Sequence, residues 1–148
     1  MNSFKKDERL ALTLWFRLAR FYHESNRMSN QHVRKWGISL SQFDTLVQVR
    51  AFQPVAQGEL AEKLLVTKGN MTHTLTKLES CGYITRKQEW RTKTIALTEN
   101  GAALVAEVMP EQSAFQASLF EPLKKEEQKQ LLELMRKLQK QTVVEEFE

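Results

Sequence analysis

The feature that most constrains this chain is residues 67–82, TKGNMTHTLTKLESCG, where a helix start, one apolar stripe and a helix stop follow in order. Thr67 suits an N-cap, because its hydroxyl can accept from an orphan backbone N–H of the first turn. Val66 and Met71 have the spacing of a hydrophobic staple across that cap. Gly82 can take the left-handed conformation past the last turn, which lets Tyr83 fold back on Leu78 in a Schellman motif. Between these ends Met71, Leu75 and Leu78 recur at helical spacing as one narrow apolar stripe. Gly69, Asn70, His73, Thr76 and Lys77 point away from it, and none is acidic. Small residues, hydrogen-bond donors and a cation on an outer face suit a DNA major groove and its phosphate wall. An ordinary amphipathic surface helix would carry the same stripe, so these residues alone leave both readings open.

Immediately upstream, residues 58–65 read as a short helix with Leu60, Ala61 and Leu64 facing inward. Only a very short connection separates it from the Thr67 helix. Two helices joined so tightly, the second with polar atoms outward, form a helix-turn-helix pattern. Further upstream Ser39-Leu40-Ser41-Gln42 has capping-box spacing, with Ile38 and Phe43 as the staple. That helix should run to about Phe52, where Gln53-Pro54 breaks it. Val55-Ala56 reads as a brief edge strand. After Gly82 the apolar period drops to two, at Ile84 and again at Ile95 and Leu97, which predicts a hairpin. Its turn, within residues 88–92, contains no Gly, Pro or Asn.

Residues 8–35 read as one long helix carrying Leu10, Leu14, Leu18, Phe21, Tyr22, Ser25 and Met28 at helical spacing. Leu12, Trp15 and Phe16 add apolar surface off that stripe, more than one chain of this size needs, so a second copy is expected to cover it. Thr98 opens a further helix, which Pro110 should kink or interrupt near Val108 or Met109. Residues 125–141 form the last helix, with Leu131, Leu134, Met135 and Leu138 on one face. Its acidic end, Glu145-Glu146-Phe147-Glu148, is expected to fray. The expected fold is therefore mainly α (α+β). A winged helix-turn-helix lobe occupies residues 37–98, and residues 1–36 and 99–148 supply N- and C-terminal dimerisation helices.

At 148 residues, 41% hydrophobic and 27% charged, the chain suits a soluble globular domain with helical extensions. It shows no signal-peptide run and no span of ~18 apolar residues, so a cytoplasmic protein without a membrane partner is expected. The lone cysteine, Cys81, excludes an intramolecular disulfide and flanks the apolar stripe, where packing is expected. His23, His32 and His73 are too scattered for a metal site, and there is no nucleophile elbow or glycine-rich phosphate loop. No cofactor and no enzyme activity are expected. The charge is unevenly placed. Between residues 67 and 94, Lys68, Lys77, Arg86, Lys87, Arg91 and Lys93 face only Glu79 and Glu89, a surplus equal to the +4 of the whole chain. Such a face should bind DNA by releasing condensed counterions. A winged-helix dimer used for protein contacts alone is the competing reading.

The runs GISLSQFDTL, QGELAEKLLVTKGNMTHTLTKLESCGYITR and IALTENG together resemble the MarR family of bacterial transcription regulators. The resemblance spans about residues 37–101, and three ordered motifs make it more specific than a bare helix-turn-helix. It implies a homodimer of winged helices that binds double-stranded DNA, usually to repress transcription, and that a small phenolic or similar effector can release. It also implies that the Thr67 helix enters the major groove and the hairpin, or wing, approaches the minor groove. The DNA-binding set is then Lys68, Gly69, Asn70, Thr72, His73, Thr76, Lys77, Arg86, Lys87 and Arg91. Thr72 and the helix start would hold phosphates, while Asn70, His73 and Lys77 approach base edges. Two departures stand out. Where the family's wing commonly carries Asp-Arg-Arg before its LTxxG motif, this chain has Glu89-Trp90-Arg91, and the wing reads short. His73 stands where the family often has arginine. A small aromatic effector would have Trp15, Phe16, Trp36, Phe43 and Met109 as candidate lining, although such clusters are also ordinary core.

Overall fold

The computed structural model describes residues 5–147, with side chains as far as residue 141. Helix α1 (Lys6–Val33) starts where Glu8 Oε2 accepts from the Lys5 backbone N–H at 2.9 Å. Its end tightens into one 3-10 turn at Arg34–Trp36, and Gly37 stops it in the left-handed region at φ 77°. Only Ser29 and Val33 of α1 are buried, whereas Leu10, Leu14, Trp15, Phe16 and Tyr22 stand exposed.

Helix α2 (Leu40–Phe52) opens on the expected capping box. Ser39 Oγ accepts from Gln42 N at 3.1 Å, and Gln42 Oε1 accepts from Ser39 N at 2.9 Å. Ile38 and Phe43, the staple pair, are buried in one cluster with Val33, Leu40 and Val108. Strand β1 (Val55–Ala56) and helix α3 (Gln57–Leu64) follow. Leu65 closes α3 at φ 55° although no glycine marks the stop, and the chain turns at once into α4 (Lys68–Ser80). Strands β2 (Ile84–Glu89) and β3 (Thr92–Leu97) pair antiparallel from Ile84↔Leu97 to Glu89↔Thr92. β1 joins the far edge of β3 through Val55↔Ile95, giving the order β1-β3-β2. Leu46, Leu60, Met71, Leu75, Leu78, Ile84 and Ile95 meet in one fully buried cluster, so each helix of the lobe and the sheet contribute to the same core. Each such side chain contributes roughly 1.5–3 kcal/mol by leaving water.

Helix α5 (Glu99–Ser118) begins at Thr98, whose Oγ1 accepts from Gly101 N at 3.0 Å and donates to the Gly82 carbonyl. A Cβ at position 101 would stand 2.0 Å from the Tyr83 carbonyl oxygen, so only glycine allows this approach. Pro110, expected to kink or interrupt the helix, does not interrupt it: α5 runs through this residue continuously. The carbonyl of Ala106 loses its intrahelical donor there, and Ala106 is exposed, so water can replace it. Helix α6 (Lys125–Phe147) continues past the expected end at residue 141. Of the acidic end expected to fray, residues 145–147 are helical in the backbone, and Glu148 lies outside the described residues. The chain forms two compact units, Met1–Ser113 and Ala114–Glu148. The first contains the winged lobe and α1. In the second, Leu132, Leu134 and Leu138 of α6 are exposed. No helix among the described residues is long and apolar enough to cross a membrane.

Candidate nucleic-acid interface

Helix α4 is held at both ends by its own sequence. Thr67 Oγ1 accepts from Asn70 N at 3.1 Å, and Val66 packs on the core beside buried Met71. At the other end Tyr83 N donates to Leu78 O and Gly82 N to Glu79 O, each at 3.0 Å, with Gly82 at φ 82°. These are the two bonds of a Schellman motif. Burial of Met71, Leu75 and Leu78 fixes the rotation of α4 about its axis. Lys68, Gly69, Asn70, Thr72, His73, Thr76 and Lys77 are therefore all exposed together.

The threonines of this face are already partly engaged. Thr72 Oγ1 donates to Lys68 O at 2.9 Å, and Thr76 Oγ1 donates to Thr72 O at 2.8 Å. Their hydroxyl protons point into the helix, which leaves lone pairs and methyl groups outward. They suit a base amino group or a thymine methyl better than a phosphate. Gln57, which the sequence reading did not single out, donates from Nε2 to Thr72 Oγ1 at 2.8 Å and so ties the start of α3 to α4. A Cβ at Gly69 would meet nothing within 4 Å, so no internal contact demands glycine there.

The hairpin brings its cations to two different places. Pairing sets Arg86 beside Ile95 and Gln88 beside Lys93 on the inner face, with Lys87 beside Thr94 on the other. Arg86 Nη2 donates to Glu79 Oε1 at 2.9 Å with most of its side chain covered. This hydrogen bond holds the Glu79 carboxyl below its usual range and raises the Arg86 guanidinium. Arg86 thus fastens the hairpin to the end of α4, while Lys87 and Arg91 remain exposed. Between the start of α4 and the hairpin lies an open groove of about 420 Å³, where Lys68, Thr72, Arg91 and Lys93 converge without a carboxylate. Lys93 joins the site only through the strand register, although alternation back from Ile95 already placed it on that face.

A second cleft, about 460 Å³, opens on the other flank of α4 among Tyr22, Asn26, Asp44, Asn70 and His73. Desolvation pushes the Asp44 carboxyl up to about 6. The candidate effector lining falls in two places. Trp36, Phe43 and Met109 pack in one apolar cluster, whereas Trp15 and Phe16 are 68% and 65% exposed on α1. Helical spacing marks such side chains as apolar without saying which of them cover one another. Cys81, expected to pack, is exposed where the chain turns off α4. Among the described residues no group of three or more His, Cys, Asp or Glu is arranged to hold a metal ion.

The arrangement has close structural counterparts. AbsC, a MarR family transcriptional regulator from Streptomyces coelicolor, superposes with a TM-score of 0.82 at 17% identity, over 96% of this chain and 98% of that one. MepR of Staphylococcus aureus in its DNA complex gives 0.77 at 24% identity, over 94% and 99%. At such identities the likeness is one of fold. The MarR family model matches residues 38–89. An uncharacterized HTH-type transcriptional regulator from Bacillus cereus (strain ATCC 10987 / NRS 248) is 48% identical over 143 residues, 96% of this chain and 97% of its own length. The chain belongs to the MarR family. In this MarR protein the family match begins at the staple residue Ile38 and ends at Glu89, the last residue of β2. The tip of the MarR wing, Trp90 and Arg91, lies just beyond it.

Proposed function

We propose that this MarR protein is a homodimeric, sequence-specific double-stranded DNA-binding transcriptional regulator. It acts in the cytoplasm as a repressor on a pseudo-palindromic operator. One observation carries the reading: the exposed, acid-free face of α4 from Lys68 to Lys77 runs into a groove that adds Arg91 and Lys93. Asn70, His73 and Lys77 approach base edges, with Thr72 and Thr76 offering acceptors and methyl groups. Lys68, Lys87, Arg91, Lys93 and the backbone at Gly69 meet phosphates, and Arg86 keeps the wing in place. The exposed apolar residues of α1, and separately those of α6, support a two-fold mate. Repression is the usual direction in the family.

Selection from a random duplex pool should return half-sites about one helical turn apart. Affinity for any duplex should fall steeply as salt rises. A flat salt response, or no binding at low salt, would instead favour a winged dimer that serves protein contacts. Lys77→Ala should lower affinity, and uniformly across sequences if the ammonium touches phosphate only. In this reading a small aromatic effector enters the cleft beside α4, where Tyr22, Leu40 and Met71 supply apolar surface. Asn70 and His73 belong both to that lining and to the reading face, so a ligand there competes with DNA for the same side chains. Phenolic ligands that leave a preformed complex intact at saturation would remove this part of the reading.

A further inference from the structure

The wing ends in a two-residue turn, because Glu89 and Thr92 are paired directly across it. Its first residue, Trp90, has φ 55°. Tight hairpin turns of this kind favour Gly, Asn or Asp at a positive φ, since a large side chain there crowds its own backbone. The apolar core offers Trp90 no packing in return. Its side chain is 84% exposed and belongs to neither apolar cluster. Its ring meets the Arg91 guanidinium, 4.7 Å from the ring centroid, while Gln88 Nε2 donates to the Trp90 carbonyl at 2.9 Å and secures the turn. A large ring held outward at a steric cost, with no packing to offset it, points to a partner outside the chain.

The neighbourhood says which partner. Its neighbour Arg91, which lies over the ring, lines the groove together with Lys68, Thr72 and Lys93, and Lys68 and Thr72 belong to the reading face of α4. Resting on the proposed DNA reading, we infer that Trp90 is an aromatic wedge. It enters the minor groove beside the major groove that α4 occupies and partly unstacks one base step there. Arg91 lies on one ring face, so cation and ring enter as one flat unit. The guanidinium answers the negative potential of the groove and the ring opens the step. Pyrimidine–purine steps unstack most readily, so the operator should carry TA or CA/TG at the wing position, a preference that no hydrogen bond from the protein imposes. The duplex should bend away from the wing, towards the major groove.

The test compares wild type, Trp90→Gly and Trp90→Phe on a selected operator, with 2-aminopurine placed at the wing step. Glycine relaxes the positive φ, so that variant folds at least as well as the wild type, and any loss belongs to the ring. Wild-type binding should brighten the 2-aminopurine and slow the complex in a circular-permutation gel. Trp90→Gly should lose both signals, lose the step preference and bind roughly tenfold more weakly or worse, while keeping its preference at the positions read by α4. Trp90→Phe should recover most of each signal. Equal affinity, bending and step preference in wild type and Trp90→Gly would overturn the wedge and leave the DNA reading standing. Failure of the wild type to bind any duplex at low salt would remove both.

Discussion

Helix α4 and the tip of the wing are both exposed and both basic, yet they are stabilised in opposite ways. The ends of α4 are fixed locally, by a hydroxyl cap at Thr67, a staple at Val66 and Met71, and a Schellman stop at Gly82, and its buried stripe seats it on the core. Its outer face is presented by a backbone that would be stable with almost any side chains there. The tip has no turn signal, accepts a positive φ at Trp90, and is tied back by strand pairing, by Gln88 on the Trp90 carbonyl and by Arg86 on Glu79. Stability and exposure coincide in α4 and conflict at the tip. A surface residue that costs the fold something is better evidence of a partner than one that costs nothing.

The largest effect expected concerns the core that both regions share. Leu75→Ala, at a site fully buried beneath α4, should lower unfolding free energy by about 2–5 kcal/mol in urea titrations. A loss under about 1 kcal/mol would mean that α4 is not seated on this core. Thr67→Ala removes the cap alone and should cost about 1 kcal/mol, with a matching fall in duplex affinity as the first turn frays. Gly69→Ala separates fold from function. It should raise stability by a few tenths of a kcal/mol up to about 1, since nothing surrounds the new methyl, yet weaken DNA binding where backbone meets phosphate. Unchanged affinity would place the phosphate elsewhere. Glu79→Ala frees Arg86 and tests the tie on the wing. The pair is partly exposed, so less than about 1 kcal/mol of stability should go, while affinity falls further than stability does.

The smallest effect is a dependence on pH at Asp44. Its carboxyl is raised from 3.8 to about 6 in the folded chain, so ionisation is less favourable there than in the unfolded chain. Stability therefore declines as pH rises through that window, and the cost is complete above it. Asp44→Asn should stabilise the protein by a few tenths of a kcal/mol at pH 8, allowing for the exposure of the residue, and not at all near pH 3.5. Thermal melts at the two pH values check this. A gain that is equal at both would assign the effect to something other than desolvation.

What the sequence by itself determined lies within a few residues along the chain. Caps, staples and stops at Thr67, Gly82, Ser39 and Gly37 are all formed, because each is made between residues no more than five apart along the chain. The period of apolar residues likewise sufficed for the core face of α4 and for the inner face of the hairpin. The tertiary structure alone decided which distant groups meet. Glu79 claimed Arg86, Gln57 reached Thr72, the Tyr83 carbonyl required glycine at position 101, and the aromatic residues divided between core and open surface. Periodicity says which face turns from water, but the identity of the covering neighbour depends on contacts that chain folding alone brings together.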